Sequence, residues 1–202
     1  MLVRTDLMVQ QCQDLPRHVL CRTYVLISIA HRAEEGTMTN KQPTEAEIDA
    51  WREEEDRFTG QVIRRHGVFI QSVSGEQMFR MTCFAYTVGL FGMGHPELLV
   101  LGICGKTAQR VLNDVSARVR SGADLTSGQT IEFDDWNHRL TVEVLPNPAH
   151  ILFAANSFYR RPDEFSVPAF QLTYDDEQGR FPWDDGYAIP AWVQPRPGEF
   201  RA

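Results

Sequence analysis

A chain of 202 residues, 43% hydrophobic and 23% charged, has the composition of a soluble globular protein and the length to bury a proper core in one ordinary domain. Its formal net charge of −7, with acids gathered at Glu45–Asp56 and Asp175–Asp185, argues against a nucleic-acid partner. No apolar run approaches the ~20 residues a membrane-spanning helix needs, so no membrane partner is expected.

Four cysteines, at 12, 21, 83 and 104, are too sparse for a disulfide scaffold. Cys83 and Cys104 adjoin or lie in apolar runs and read as buried free thiols, which points to a reducing cytoplasm. Residues 1–37 differ in character from the rest of the chain. Their one apolar patch, Tyr24–Ala30, is short, and His31-Arg32-Ala33-Glu34-Glu35 after it supplies no cleavage site for a secretory signal. Met38 opens Met-Thr-Asn-Lys-Gln-Pro, a polar start typical of bacterial cytoplasmic proteins. The expected organisation is therefore a poorly packed extension over 1–37 that stands outside the natural protein, one domain over 38–190, and a proline-rich tail over 191–202.

The first helix is expected from about Thr44 to Arg65. Thr44-Glu45-Ala46-Glu47 is a capping box, in which hydroxyl and carboxylate satisfy each other's backbone donors, and Gly67 is placed to end the helix. Ile48, Trp51, Phe58, Val62 and Ile63 form an apolar stripe, while Glu53 to Asp56 read as a solvated face. Residues 68–73 read as a strand. In the next strand Phe84, Tyr86, Val88 and Leu90 share one face, and Ala85, Thr87 and Gly89 the other. That second face is bare enough for a helix, a backbone or a ligand to approach closely.

Leu98–Ile103 is apolar without alternation, as in a strand covered on both faces. Lys106–Ser121 carries Ala108, Val111, Leu112, Val115 and Val119 at helical spacing. Thr130–Asp134 and Arg139–Leu145 are expected to pair as a hairpin across Asp135-Trp136-Asn137. Asn147-Pro148 predicts the cap and first position of a helix to about Arg160, with Ile151, Leu152, Ala155, Phe158 and Tyr159 buried, and Phe170, Leu172 and Tyr174 mark a last strand. The order helix, three strands, helix, two strands, helix, strand predicts an α+β single domain, with a mostly antiparallel sheet of about six strands and two to three packed helices. Downstream, Phe181, Trp183, Tyr187 and Trp192 are costly to leave in water, so Phe181-Pro182-Trp183 is expected to fold back on the body.

Polar chemistry concentrates at the glycine-rich corner between the second and third strands. Gly105-Lys106-Thr107 imitates the end of a phosphate-binding loop, but Val100 stands where that loop needs its first glycine. Gly92-Met93-Gly94 precedes a strand instead of the helix a dinucleotide fingerprint requires. His95-Pro96-Glu97 is the serious candidate. Proline holds His95 extended, and residues two apart in extended chain point to the same side, so imidazole and carboxylate can cooperate in acid–base work or binding. His66, His95, His138, His150, Glu97, Cys83 and Cys104 show no recognised metal-ligand spacing, so no metal and no cofactor is assigned.

Phe84-Ala85-Tyr86-Thr87-Val88-Gly89-Leu90, then His95-Pro96-Glu97-Leu98-Leu99, then the stretch Gln171 to Tyr187 together resemble the bacterial family catalogued as domain of unknown function 4262, over roughly residues 60–190. The resemblance implies no activity. It carries motif positions onto Tyr86, Thr87, Gly89, Leu90, His95, Pro96, Glu97 and Gly102, and onto Gln171, Asp176, Gly179, Phe181, Pro182 and Trp183.

Two functional readings fit these residues. The first is a small-ligand-binding or regulatory domain with its site at the corner. Its pocket would be shared with the Phe-Pro-Trp tail and lined by Tyr86, Thr87, Gly92, Gly94, Asp176, Phe181 and Trp183. The second is a hydrolase or group-transfer enzyme using His95 and Glu97 as an acid–base pair. The first is preferred because no nucleophile, metal spacing or cofactor fingerprint accompanies the pair.

Overall fold

A computed structural model describes residues 44–75 and 81–202, so the expectations for residues 1–37, Cys12 and Cys21 included, lie outside the described residues. The chain divides between Phe58 and Thr59 into two units. Of helix α1 (Glu45–His66) the first holds only the start, at the expected capping box: Thr44 N–H donates to Glu47 Oε2 at 2.7 Å and Glu47 N–H to Thr44 Oγ1 at 3.3 Å. Gly67, at φ +89, ends that helix.

The second unit carries one six-stranded sheet. Its strands are β1 (Phe69–Val73), β2 (Phe84–Val88), β3 (Glu97–Leu101), β4 (Thr130–Phe133), β5 (Trp136–Val144) and β6 (Ala169–Tyr174), in the order β1-β2-β3-β6-β5-β4. Every neighbouring pair is antiparallel except one. The last strand enters the middle of the sheet parallel to β3, with Glu97 opposite Ala169 and Leu99 opposite Gln171. The architecture is α+β, as the order of elements predicts.

One face of the sheet is covered by helix α2 (Gly105–Arg120), whose Ala108, Val111, Leu112, Val115 and Val119 join Ala85, Leu98, Val100, Leu140, Val142 and Leu172 in a single core. The small side chain of Ala85 on the bare face of β2 admits a helix here. Each large aliphatic group so buried contributes roughly 1.5–3 kcal/mol. The opposite side takes the short helix α3 (Phe153–Phe158), whose Ala154 N–H donates to Tyr86 Oη at 3.0 Å, and the C-terminal segment. That segment is tied down: Thr82 Oγ1 donates to Val193 O at 2.7 Å, Gln171 Nε2 to Pro195 O at 2.8 Å, and the Phe84 and Phe200 rings meet at 5.2 Å. Beyond Leu99–Gln171 no β3–β6 pair continues the ladder, and the buried Gln194 amide fills the gap by accepting from Tyr174 N–H at 2.9 Å and donating to Tyr174 O at 2.8 Å.

Three local expectations are corrected. The hairpin turn is only Asp134-Asp135, because Phe133 pairs with Trp136 and their rings pack at 5.5 Å, which brings Trp136 and Asn137 into β5. The helix expected over 148–160 is a 3₁₀ turn (Pro148–His150) and then α3, broken at Ile151-Leu152, where the chain bends to bury both side chains completely. Cys83 and Cys104 are joined by a disulfide, with Cα atoms 5.7 Å apart. The antiparallel pair Phe84–Leu101, followed by a Gly102 turn whose N–H donates to Cys83 O at 2.8 Å, carries the two residues past each other. The cysteine argument for a reducing compartment therefore falls. No described helix is long and apolar enough to cross a membrane.

Replacing Gln194 by alanine strands a buried N–H and C=O of Tyr174, so we expect a loss of about 2–4 kcal/mol in urea denaturation.

Candidate functional site

The corner is built around a carboxylate. β2 ends at Val88, and Gly89 follows at φ +140, where an added Cβ would lie 3.0 Å from Gly67 O. A 3₁₀ turn (Phe91–Met93) closes on Gly94 at φ +84, and His95 N–H donates to Leu90 O at 3.1 Å before Pro96 leads into β3. Glu97, the first residue of β3, is fully buried and reaches back under this turn. Its Oε1 accepts from Gly89 N–H at 2.8 Å and Phe91 N–H at 3.0 Å. Its Oε2 accepts from Thr87 Oγ1 at 2.6 Å and Leu90 N–H at 3.3 Å.

Thr87 Oγ1 accepts from Leu98 N–H at 2.9 Å, which leaves its own proton free to donate to Glu97. Three successive amides and a hydroxyl thus form an anion nest filled by the chain's own side chain. Burial pushes the Glu97 carboxyl above its ordinary pKa, and the four hydrogen bonds oppose that shift.

His95 is buried and turns elsewhere. Its Nδ1 lies 2.7 Å from Pro96 O, which only accepts, so the proton sits on Nδ1. Its ring stands edge-on to Phe170 at 5.9 Å. No hydrogen bond joins His95 to Glu97. Tyr86 is buried nearby, and desolvation lifts its hydroxyl well above the usual tyrosine range. Gly92 N–H donates to Tyr159 Oη at 3.1 Å, whereas nothing lies within 4 Å of a Cβ on Gly94, whose glycine answers to backbone conformation alone. The structure therefore brings Tyr86, Thr87, Gly92, Gly94, His95 and Glu97 into one unit.

It adds residues that the sequence pattern assigns elsewhere or passes over. Tyr159 packs its ring on Phe91 at 5.0 Å, and Arg161 lies over the Phe91 ring at 5.8 Å while donating to Phe165 O at 2.6 Å. Met93 and Phe165 stand 55% and 66% exposed around them. Tyr159 reads from the sequence as core of a long helix, whereas it follows the end of the short α3 and meets Gly92 and Phe91 of the corner.

Asp176, Phe181 and Trp183 do not share this place. β3 and β6 run parallel from Glu97 and Ala169, so Asp176 lies roughly 20 Å along the sheet from the corner. There Phe181 and Trp183 stack at 4.9 Å, with Arg139 over Phe181 at 5.4 Å and Arg196 over Trp183 at 4.9 Å. Arg139 Nε donates to Asp175 Oδ2 at 2.8 Å and Arg196 to Glu143 Oε1 at 3.1 Å, which fastens the segment across β5 and β6. The Phe-Pro-Trp segment folds back as expected, as a clasp at the far end of the sheet.

Asp176 accepts from the N–H groups of Gln178, Arg180 and Ala188 and from Arg180 Nε, each within 3.0 Å. Burial pushes its carboxyl up, and these hydrogen bonds outweigh it, holding the pKa at about 2. At the same end His138 Nδ1 lies 2.8 Å from Asp175 O and 3.3 Å from Asp175 Oδ1, between the rings of Trp136 and Tyr174. This pair joins residues 37 apart, and only the β5–β6 register reveals it. Among the described residues no group of three or more His, Cys, Asp or Glu side chains could hold a metal ion.

Residues 62–188 match the family model described as Domain of unknown function (DUF4262). No curated protein and no solved structure matches the chain.

Glu97→Ala leaves four buried donors without an acceptor, and we expect a loss of about 3 kcal/mol or more, read by urea denaturation. The lowered pKa of Asp176 sets a second test. Its stabilisation is present above the ordinary aspartate range and is lost as pH falls through about 2. Acid titration of Asp176→Asn should show lower stability at neutral pH and a flatter acid limb than wild type.

Proposed function

The chain belongs to the DUF4262 family, and on that premise we propose that it is a binding domain acting through the outer surface of the β2–β3 corner. One observation carries this reading. Glu97 is spent inward on four donors, and His95 holds Pro96 O through Nδ1 while its Nε2 is buried without a hydrogen-bond partner, whereas the surface outside them is apolar and aromatic. Met93 and Phe165 project from it, Phe91 and Tyr159 form its half-buried floor, and Arg161 supplies a cation at its centre. Rings, a flexible thioether and one guanidinium suit an apolar ligand or partner segment that carries a carboxylate.

Glu97 is occupied by four donors and the unpartnered His95 Nε2 is shut off from solvent, which weighs against a hydrolase built on His95 and Glu97. The test is a thermal-shift screen of metabolites, nucleotides, divalent metals and short acidic-aromatic peptides on wild type, Met93→Glu and Phe165→Glu. Both substitutions fall on exposed side chains and should leave the unliganded melting temperature nearly unchanged. A binder present at a hundred times its dissociation constant stabilises by about 2.7 kcal/mol, and both variants should lose that shift. A stabilising compound that acts equally on all three proteins would place binding elsewhere and contradict the reading.

A further inference from the structure

We propose that the Cys83–Cys104 disulfide is a reversible thiol–disulfide exchange site, opened by a low-molecular-weight thiolate attacking the Cys104 sulfur. The two cysteines are placed unlike. Cys83, at the foot of β2, is 7% exposed. Cys104 is exposed and occupies the N-cap of α2 with extended backbone and no side-chain capping bond. It therefore stands at the positive end of a helix whose first turn holds no acidic residue and includes the exposed Lys106. Gly105 is next in the chain, and nothing lies within 4 Å of where its Cβ would be, so the backbone beside Cys104 faces open space.

Accessibility selects the sulfur attacked first, and the helix amides stabilise Cys104 when the second step releases it as a thiolate. In the first step a thiolate RS⁻ forms a bond to Cys104 Sγ. The Cys83–Cys104 bond breaks, and its electron pair leaves on Cys83, which takes up a proton. A second RS⁻ then attacks the outer sulfur of the mixed disulfide, so that RSSR departs and Cys104 is left as a thiolate. Two thiols are oxidised to one disulfide while the protein disulfide is reduced to two thiols, and RSSR drives the reverse.

The bond spans a sequence separation of 21, and the loop it closes contains the whole corner. Opening it removes a covalent constraint from the element that carries Glu97 and Met93. The exchange itself stands whether or not that surface binds a ligand.

The test uses the full chain, oxidised and folded, in millimolar glutathione redox buffers. Samples are quenched with acid and read by peptide mass spectrometry at residues 83 and 104, which keeps Cys12 and Cys21 out of the reading. We expect reversible opening within minutes and a glutathione adduct on Cys104. Cys83→Ser should trap that adduct, whereas Cys104→Ser should give roughly tenfold less on Cys83. A disulfide that opens only when urea unfolds the chain, or an adduct found chiefly on Cys83, overturns the proposal. If Cys83→Ser fails to fold, the adduct ratio in the quenched native chain decides.

Discussion

A carboxylate buried beneath three successive backbone amides holds the centre of this structure together. The turn between β2 and β3 exposes the N–H groups of Gly89, Leu90 and Phe91 on its inner side, and no ladder partner reaches them. Glu97 supplies the missing acceptor from the first residue of the next strand, and Thr87 ties the arrangement back to β2 while accepting from Leu98. An isolated buried carboxylate would be prohibitive, and a turn with three unmet donors nearly so. Each offsets the cost of the other. Because Glu97 also fixes where β3 begins, and β6 takes its register from β3, the same interaction sets the middle of the sheet.

Two ends of one sheet then do different things. At the corner, the inward use of Glu97 and His95 leaves an outer surface of apolar and aromatic groups with one guanidinium. At the far end, an Arg-Phe-Trp-Arg stack and the buried Gln194 amide hold the C-terminal segment against β5 and β6. Buried polar residues thus have structural work at both ends. Asp176 caps a turn, Gln171 holds Pro195, and Glu97 fills the nest.

Much of the fold was legible in the sequence because hydrophobic spacing and glycine placement act locally. The helical spacing of Ala108 to Val119, the capping box at Thr44 and the alternation in β2 led to the right elements. The site was less legible. His95-Pro96-Glu97 drew attention to the corner, but spacing alone could not say that the carboxylate would turn back toward amides preceding it in the chain. Whether Trp183 would close that corner depended on the direction of β6, and a parallel entry beside β3 carries it to the opposite end. Cys83 and Cys104 gave no local sign of pairing, since their proximity comes from antiparallel register and the Gly102 turn. His138 and Asp175 meet for the same kind of reason.

The central claim is that Glu97 is the internal acceptor of the corner, and amide hydrogen exchange reads it most directly. If Glu97 accepts from Gly89, Leu90 and Phe91, those three amides should exchange as slowly as the ladder amides of β2 and β3, opening only with the sheet. Exchange of these amides at the rate of an exposed loop would show that the carboxylate does not hold the turn, and would contradict the account.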